Sequence, residues 1–369
     1  MIITYLRSSS LNNWHMCQHS YFLIYALGLQ TKSNLKAEKG TLSHKVLELL
    51  AKAKLAFQNN PNERFVSIHD EAIGLVENLD RELFLKPYQL SNKEVETINS
   101  TRLNKQVYIT DCKLEYGHIR YGVEIVEQFI KMAYDYYSSN SIHEWKPVDF
   151  KDCTNWVWMA LDGYGRRFDP RTRKIVMPEL AFNMEIDKDW AEYNFDGTKR
   201  RLALKGTIDL ITELDDNTLE IVDLKTGARK DWNTGEEKDY KKLLQDKQLM
   251  LYYYVVKKMF PEKNVIITIY FVRSGGPYSI VFDDEDIPKI EQMLRDNFEE
   301  IKQNKLPKLR DPSQKDFICN RLCDFYKSKI GTENTCKAIH KEIIQLGMSN
   351  VIKNRTREGF TPDYYEAPG

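Results

Sequence analysis

Two short segments decide how this chain is read. They are Gly206-Thr207-Ile208-Asp209 and, across the turn signal Asp215-Asp216-Asn217, Glu220-Ile221-Val222-Asp223-Leu224-Lys225-Thr226-Gly227. Asp/Asn clusters mark tight turns, and the flanking residues alternate at the period of two that strands require. A hairpin centred on Asp216 sets Asp209 directly opposite Asp223, with Cβ atoms about 5 Å apart on one face. Lys225, two residues beyond Asp223, points the same way. Taken alone, D-x-K in a strand reads as an ordinary surface salt bridge. The apolar flanks Ile208, Leu210, Val222 and Leu224 bury the other face and make this the central hairpin of a core.

Two facing carboxylates repel unless a cation lies between them. Oxygen ligands with open positions suit Mg²⁺ or Mn²⁺. Such an ion lowers the pKa of bound water and stabilises charge on a phosphate under attack. Lys225 can orient the water or support the same charge.

Working outward, Leu11 to Leu27 carries apolar residues at helical spacing and stops at Gly28. A second helix spans Thr41 to Phe57, opened by Gly40-Thr41 and closed by Asn59-Asn60-Pro61-Asn62. Glu63 to Ser138 reads as mostly helical, most strongly over Ile119 to Tyr137. The period then changes, and Trp156 to Leu161, Ile175 to Ile186, Arg201 to Leu214 and Leu219 to Leu224 read as strands. A helix over Glu236 to Phe260 follows, then strands at Val265 to Val272 and Tyr278 to Phe282. A helix over Pro288 to Lys302 and an irregular segment from Cys319 to Cys336 close the folded part. The order predicts a mixed α/β sheet with a helical insertion. The last twenty residues read as a loosely held tail.

The 54 basic and 54 acidic side chains balance. That argues against a protein that coats nucleic acid, but not against an enzyme gripping DNA through a local groove. Arg166, Arg167, Arg171, Arg173, Lys174, Lys199, Arg200 and Arg201 are the candidates for that groove, or else ordinary surface charge. No apolar run is long enough to cross a bilayer, and the N-terminus lacks the features of a secretory signal. The expected compartment is the cytoplasm, where six cysteines do not form a disulfide framework. Cys112 and Cys153 read as ordinary buried thiols.

At the hairpin the chain resembles the RecB-like nucleases of the PD-(D/E)XK superfamily, which include the RecB and AddB nuclease domains and the exonucleases of CRISPR adaptation. Five motifs match in order: Gly40-Thr41-Leu42-Ser43-His44 (G-T-x-x-H), Glu179 to Phe182 (E-x-x-F), Gly206 to Asp209 (G-x-x-D), Asp223 to Gly227 (D-x-K-T-G) and Gln248 to Tyr252 (Q-x-x-x-Y). The resemblance implies a restriction-endonuclease-like α/β core, a mixed central sheet flanked by helices with an inserted helical subdomain. It also implies His44, Asp209 and Asp223 as metal ligands and Asp209, Asp223, Lys225, Gln248 and Tyr252 as the catalytic set. Gln248 and Tyr252, one turn apart on a helix, would bond a DNA phosphate or the lysine, and Glu179 would be structural.

In a subset of the family one N-terminal and three C-terminal cysteines hold an iron–sulfur cluster. Cys17, within Leu11 to Tyr21, with Cys319, Cys323 and Cys336, matches that arrangement, although the C-terminal spacing is looser than usual. Four thiolates suit a [4Fe–4S] cluster or, alternatively, Zn²⁺.

The expected organisation is an N-terminal helical part of the core at 1–58, an inserted helical subdomain at 59–155, the catalytic sheet at 156–310, the cysteine cluster at 311–345 and a tail at 346–369. The implied function is a metal-dependent exonuclease acting on DNA with a free end, in recombination, repair or phage DNA metabolism. The alternatives are a flap endonuclease and a catalytically quiet DNA-binding subunit. No helicase motif is present, so unwinding would fall to a helicase or recombination partner. No membrane partner is expected.

Overall fold

A computed structural model describes all residues except 1, 105–117, 196, 231–235, 274–275, 311–315, 363 and 366–369. Cys112 lies outside the described residues. A six-stranded sheet is built from β1 (Tyr5–Arg7), β2 (Lys174–Glu185), β3 (Ala203–Asp215), β4 (Thr218–Lys225), β5 (Asn264–Phe271) and β6 (Pro277–Val281). β3 pairs antiparallel with β2 along one side. On its other side it pairs first with β1, in parallel, and then with β4, antiparallel. β5 runs parallel to β4, and β6 closes that edge. The sheet is mixed, as expected.

Among the helices that cover it are α1 (Ser8–Met16), α2 (Gln18–Tyr25), α3 (Leu35–Asn59), α4 (Val123–Asn140), α5 (Pro147–Arg166), α6 (Lys247–Met259) and α7 (Ile287–Gln303). Leu11, Phe22, Leu251, Val255 and Leu294 pack with Leu204, Ile221 and Ile267 in one apolar cluster. Leu42, Leu50, Phe129, Val157 and Leu161 pack with Leu210, Val222 and Leu224 in the other.

Several expectations give way. Trp156 to Leu161 is helix, not strand. All six residues are buried within α5, and a short apolar run looks alike in a buried strand and a wholly buried helix. The 63–138 region is helical over Arg81–Leu85, Asn92–Asn104 and from Val123 onward, but not throughout. It holds the hairpins Phe65–Asp70/Gly74–Asp80 and Pro87–Gln89/Ile119–Tyr121, and alternating burial along Phe65–Asp70 is the strand signal that was passed over. The helix expected over Glu236 to Phe260 breaks at Asp246, whose side chain accepts from the Gln248 N–H and caps α6. The tail is packed as far as Phe360. A helix spans Met348–Arg355, Arg357 N–H donates to Leu27 C=O at 2.8 Å, and Phe360 stacks where a side chain at Gly28 (φ +68°) would stand.

Candidate active site

The site forms where β3 changes partners. Its pairs with β1 end at Lys205 and those with β4 begin at Leu210, so residues 206–209 have no strand on that side. The expected hairpin register holds over Leu210↔Val222, Ile211↔Ile221, Thr212↔Glu220 and Glu213↔Leu219, but it does not reach Asp209 and Asp223. Instead the Asp209 carboxylate accepts the Leu224 N–H at 2.9 Å. On the β2 side the ladder also skips Asp209, whose place opposite is taken by Glu179, a non-glycine residue at φ +48°. The alternation of faces fails at the same point: Ile208 packs with the α6 cluster and Leu210 with the α3 cluster. The four apolar flanks therefore do not share one face. Asp209 sits at a gap in the sheet open to helices from both sides.

Those helices supply the remaining groups. α3 starts at Leu35, so Gly40 lies inside it rather than at its start, and its role is close approach. A Cβ at Gly40 would stand 2.5 Å from Thr226 Oγ1. One turn on, His44 Nδ1 lies 3.4 Å from Asp209 Oδ2. Lys225 Nζ donates to Asp223 Oδ1 at 2.9 Å and lies 2.8 Å from Oδ2, which is buried and has no hydrogen bond. From the α6 side, Gln248 Nε2 donates to Tyr252 Oη at 2.7 Å, and that hydroxyl donates to Thr207 C=O at 2.6 Å. Tyr252 therefore grips the strand where its neighbour is missing. This bond, to a backbone carbonyl, is not the phosphate or lysine contact that the sequence suggested.

The charges are interlocked. Burial raises the Asp223 carboxyl, Lys225 opposes this, and the Asp209 charge adds to it, leaving the group above its ordinary range. Burial also opposes ionisation of Asp209, but His44, Lys225 and the Leu224 N–H outweigh it and hold that group low. Burial lowers His44, yet the Asp209 bond leaves it raised. Lys225 is raised in the same way by Asp223 and Asp209.

Glu48, one turn beyond His44 on α3, and Glu179 line a small cavity with His44 and Asp209. Glu179 reaches solvent in part, but the surrounding protein and the Glu48 and Asp209 charges push it up to about 7. Glu48 was missed in the sequence; its only signal is the i+4 spacing from His44. Among the described residues no three His, Cys, Asp or Glu side chains already stand as a metal group. The donor set nevertheless fits a divalent cation. Its carboxylate oxygens include the buried Asp223 Oδ2, which has an ion-pair partner in Lys225 but no hydrogen bond, and an imidazole stands beside them.

The basic residues singled out earlier are mostly committed elsewhere. Arg166 and Arg171 pair with Asp169, and Arg167 and Arg173 with Glu220. Lys174 pairs with Glu213, and Lys199 and Arg201 with Glu192.

Cys17, Cys319, Cys323 and Cys336 line one cavity of about 670 Å³. Cys17 breaks the helix expected over Leu11–Leu27 into α1 and α2 and caps the second, its Sγ accepting from Ser20 N–H at 3.4 Å. The Cys336 thiol hydrogen bond draws Cys323 down to about 7, whereas burial pushes Cys319 up to about 11. All four are free thiols, and so is the buried Cys153.

A mixed sheet opened at one strand, with two carboxylates, a lysine and a histidine at the opening, defines a phosphodiester-hydrolysing nuclease core. The sequence model of the PD-(D/E)XK nuclease superfamily matches residues 8–328. The chain belongs to that superfamily, whose activity is divalent-metal-dependent nucleolysis. No curated protein gives a significant match. Among solved structures, the crystal structure of SSO0001 is similar at 14% identity, covering 70% of this chain and 86% of that one, with a TM-score of 0.23. Among the described residues no helix is long and apolar enough to cross a membrane.

Proposed function

We propose that the protein is a metal-dependent DNA exonuclease of RecB-like type. It acts in the cytoplasm on DNA with a free end, during recombination, repair or phage DNA metabolism. The observation that carries the nuclease part is the gathering of His44, Asp209, Asp223 and Lys225 at the gap in β3. The exonuclease part rests on the five-motif resemblance.

Asp209, Asp223 and His44 would hold Mg²⁺ or Mn²⁺, which supplies an acidified water and charge stabilisation on the phosphate. Lys225, partly exposed and ion-paired with Asp223, would orient a water nucleophile and balance charge on the attacked phosphate. The Leu224 N–H fixes one Asp209 oxygen, and Gln248 and Tyr252 act as positioning residues by holding Thr207. The four free cysteines around one cavity have the donor chemistry of a [4Fe–4S] ligand set, with Zn²⁺ as the alternative occupant.

The test is digestion of end-labelled linear DNA, single- and double-stranded, beside closed circular DNA in Mg²⁺ or Mn²⁺. Linear substrates shortened from an end, circles untouched, and no cutting by Asp223→Ala are expected. Cut circles or internal cuts at flaps would replace exonuclease by endonuclease. Wild-type protein that binds DNA without cutting it would leave a quiet DNA-binding subunit.

A further inference from the structure

With most basic residues near the sheet neutralised, two cations beside the catalytic loop stand out. Lys36, Gly40 and His44 occupy successive turns of one α3 face. Gly40 abuts Thr226, the residue after Lys225. Just past β5, Arg273 donates from Nη1 to Thr226 C=O at 3.3 Å and stacks on the Trp156 ring with its Cζ 4.2 Å from the centroid. Lys39 lies over the same ring at 5.6 Å, but Asp149 and Asp152 hold it at 2.8 and 3.0 Å. Among the described residues neither Lys36 nor Arg273 has an ion pair. Asp152, whose charge Arg273 feels, is already committed to Lys39.

We propose that Lys36 and Arg273 form a clamp for a backbone phosphate of the bound strand, adjoining the scissile one. Burial and repulsion from Arg273 and Lys39 already make it harder for Lys36 to keep its proton, a strain that an anion between the two cations removes. The geometry suits a phosphate next to the reaction centre. At 1.5 Å rise per residue, Lys36 lies about 12 Å along α3 from His44. Arg273 is pre-oriented by its indole stack and the Thr226 carbonyl, so little freedom is lost when its fork closes on an oxyanion. Such a contact sets the register of the strand and carries no sequence information.

The proposal rests on the nuclease reading, and its test separates the two. Full-length wild type, Lys36→Gln and Arg273→Gln are titrated with labelled DNA in Ca²⁺ over a range of salt. Lys199→Gln, whose lysine is paired with Glu192, is the control. Each clamp variant should bind about tenfold more weakly, with a salt slope smaller by about one. Arg273→Lys should recover part of the affinity. A neutral methylphosphonate placed at each position around the scissile bond should weaken wild-type binding at one neighbouring site, and Arg273→Gln should be insensitive there. Unchanged salt slopes in both variants, or a methylphosphonate effect that persists in Arg273→Gln, would overturn the clamp. Lys36→Gln changes an exposed turn, so it keeps the test readable if Arg273→Gln fails to fold. Wild-type protein that neither binds nor cuts DNA would overturn the nuclease reading, and the clamp with it.

Discussion

Replacing Tyr252 by Phe removes one oxygen and two hydrogen bonds, the 2.7 Å bond from Gln248 and the 2.6 Å bond to Thr207 C=O. The ring stays, so packing in the α6 cluster is kept. Tyr252 is buried, and no strand stands beside Thr207 on the side where β1 and β4 leave off, so its carbonyl has no ladder donor there. Leaving this part-buried acceptor unpaired costs roughly 1–3 kcal/mol. Gln248 can turn to water and adds less. The expected loss is therefore about 2 kcal/mol, a shift of a few degrees in a chain of this size. The functional effect should be larger than that shift suggests, because Thr207 lies two residues before Asp209 and misplacement on the ångström scale costs up to about 100-fold in rate. We expect kcat to fall about 10- to 100-fold with KM for DNA nearly unchanged, and added Mn²⁺ to restore little. Steady-state kinetics over a range of DNA and metal concentrations, with a melting curve, decides the matter. A raised KM at unchanged kcat would mean that Tyr252 contacts the substrate instead, and the positioning role would be wrong.

Gly40→Ala sets about 1 kcal/mol of helix propensity against a Cβ that would lie 2.5 Å from Thr226 Oγ1. Melting should barely move while cleavage falls, and the double variant Gly40→Ala/Thr226→Ala should regain activity; failure of that rescue would remove the steric argument. Asp70, buried between Lys45 and Lys52, would be raised by burial, but those lysines and the Ile73 N–H hold it well below the usual carboxylate range. A depressed carboxyl contributes stability above its unfolded pKa, near 4, and loses it as pH falls through the lower folded value. Asp70→Asn should therefore cost about 3 kcal/mol at neutral pH, with a gap to wild type that narrows only in strong acid; a constant gap would rule out the ionic account. Anaerobically purified protein should contain iron and sulfide near four each if the four cysteines hold a [4Fe–4S] cluster. Ser at Cys17, Cys319, Cys323 or Cys336 should bleach it and lower its melting temperature, whereas zinc without sulfide would keep the site and reject the cluster.

What could be read from the sequence follows the range of the forces involved. Turn chemistry at Asp215-Asp216-Asn217 and period-two burial are local, and they set the β3–β4 register correctly from Leu210 to Glu213. The interruption at Asp209 is not local. Beside β3, β4 pairs only from Leu210 onward and β1, far away in the chain, only up to Lys205, and no pattern within 206–225 records where that exchange of partners falls. For the same reason the facing of Ile208 was misread, and the Tyr252 hydroxyl, expected to bond a DNA phosphate or the lysine, holds a backbone carbonyl. Trp156 to Leu161 failed for a different cause: a segment buried on every side has no amphipathic period to report. Composition alone could not show where charge is left over. Of the arginines and lysines that looked like a groove, Arg167, Arg173 and Lys174 are neutralised by carboxylates distant in sequence, Glu220 and Glu213, and Arg166, Arg171, Lys199 and Arg201 by nearby ones. Lys36 and Arg273 drew no notice because they lie 237 residues apart, by the difference of their numbers. Near the catalytic loop they are the charges that folding leaves without an ion pair among the described residues, and the fold has to be known before that remainder can be found.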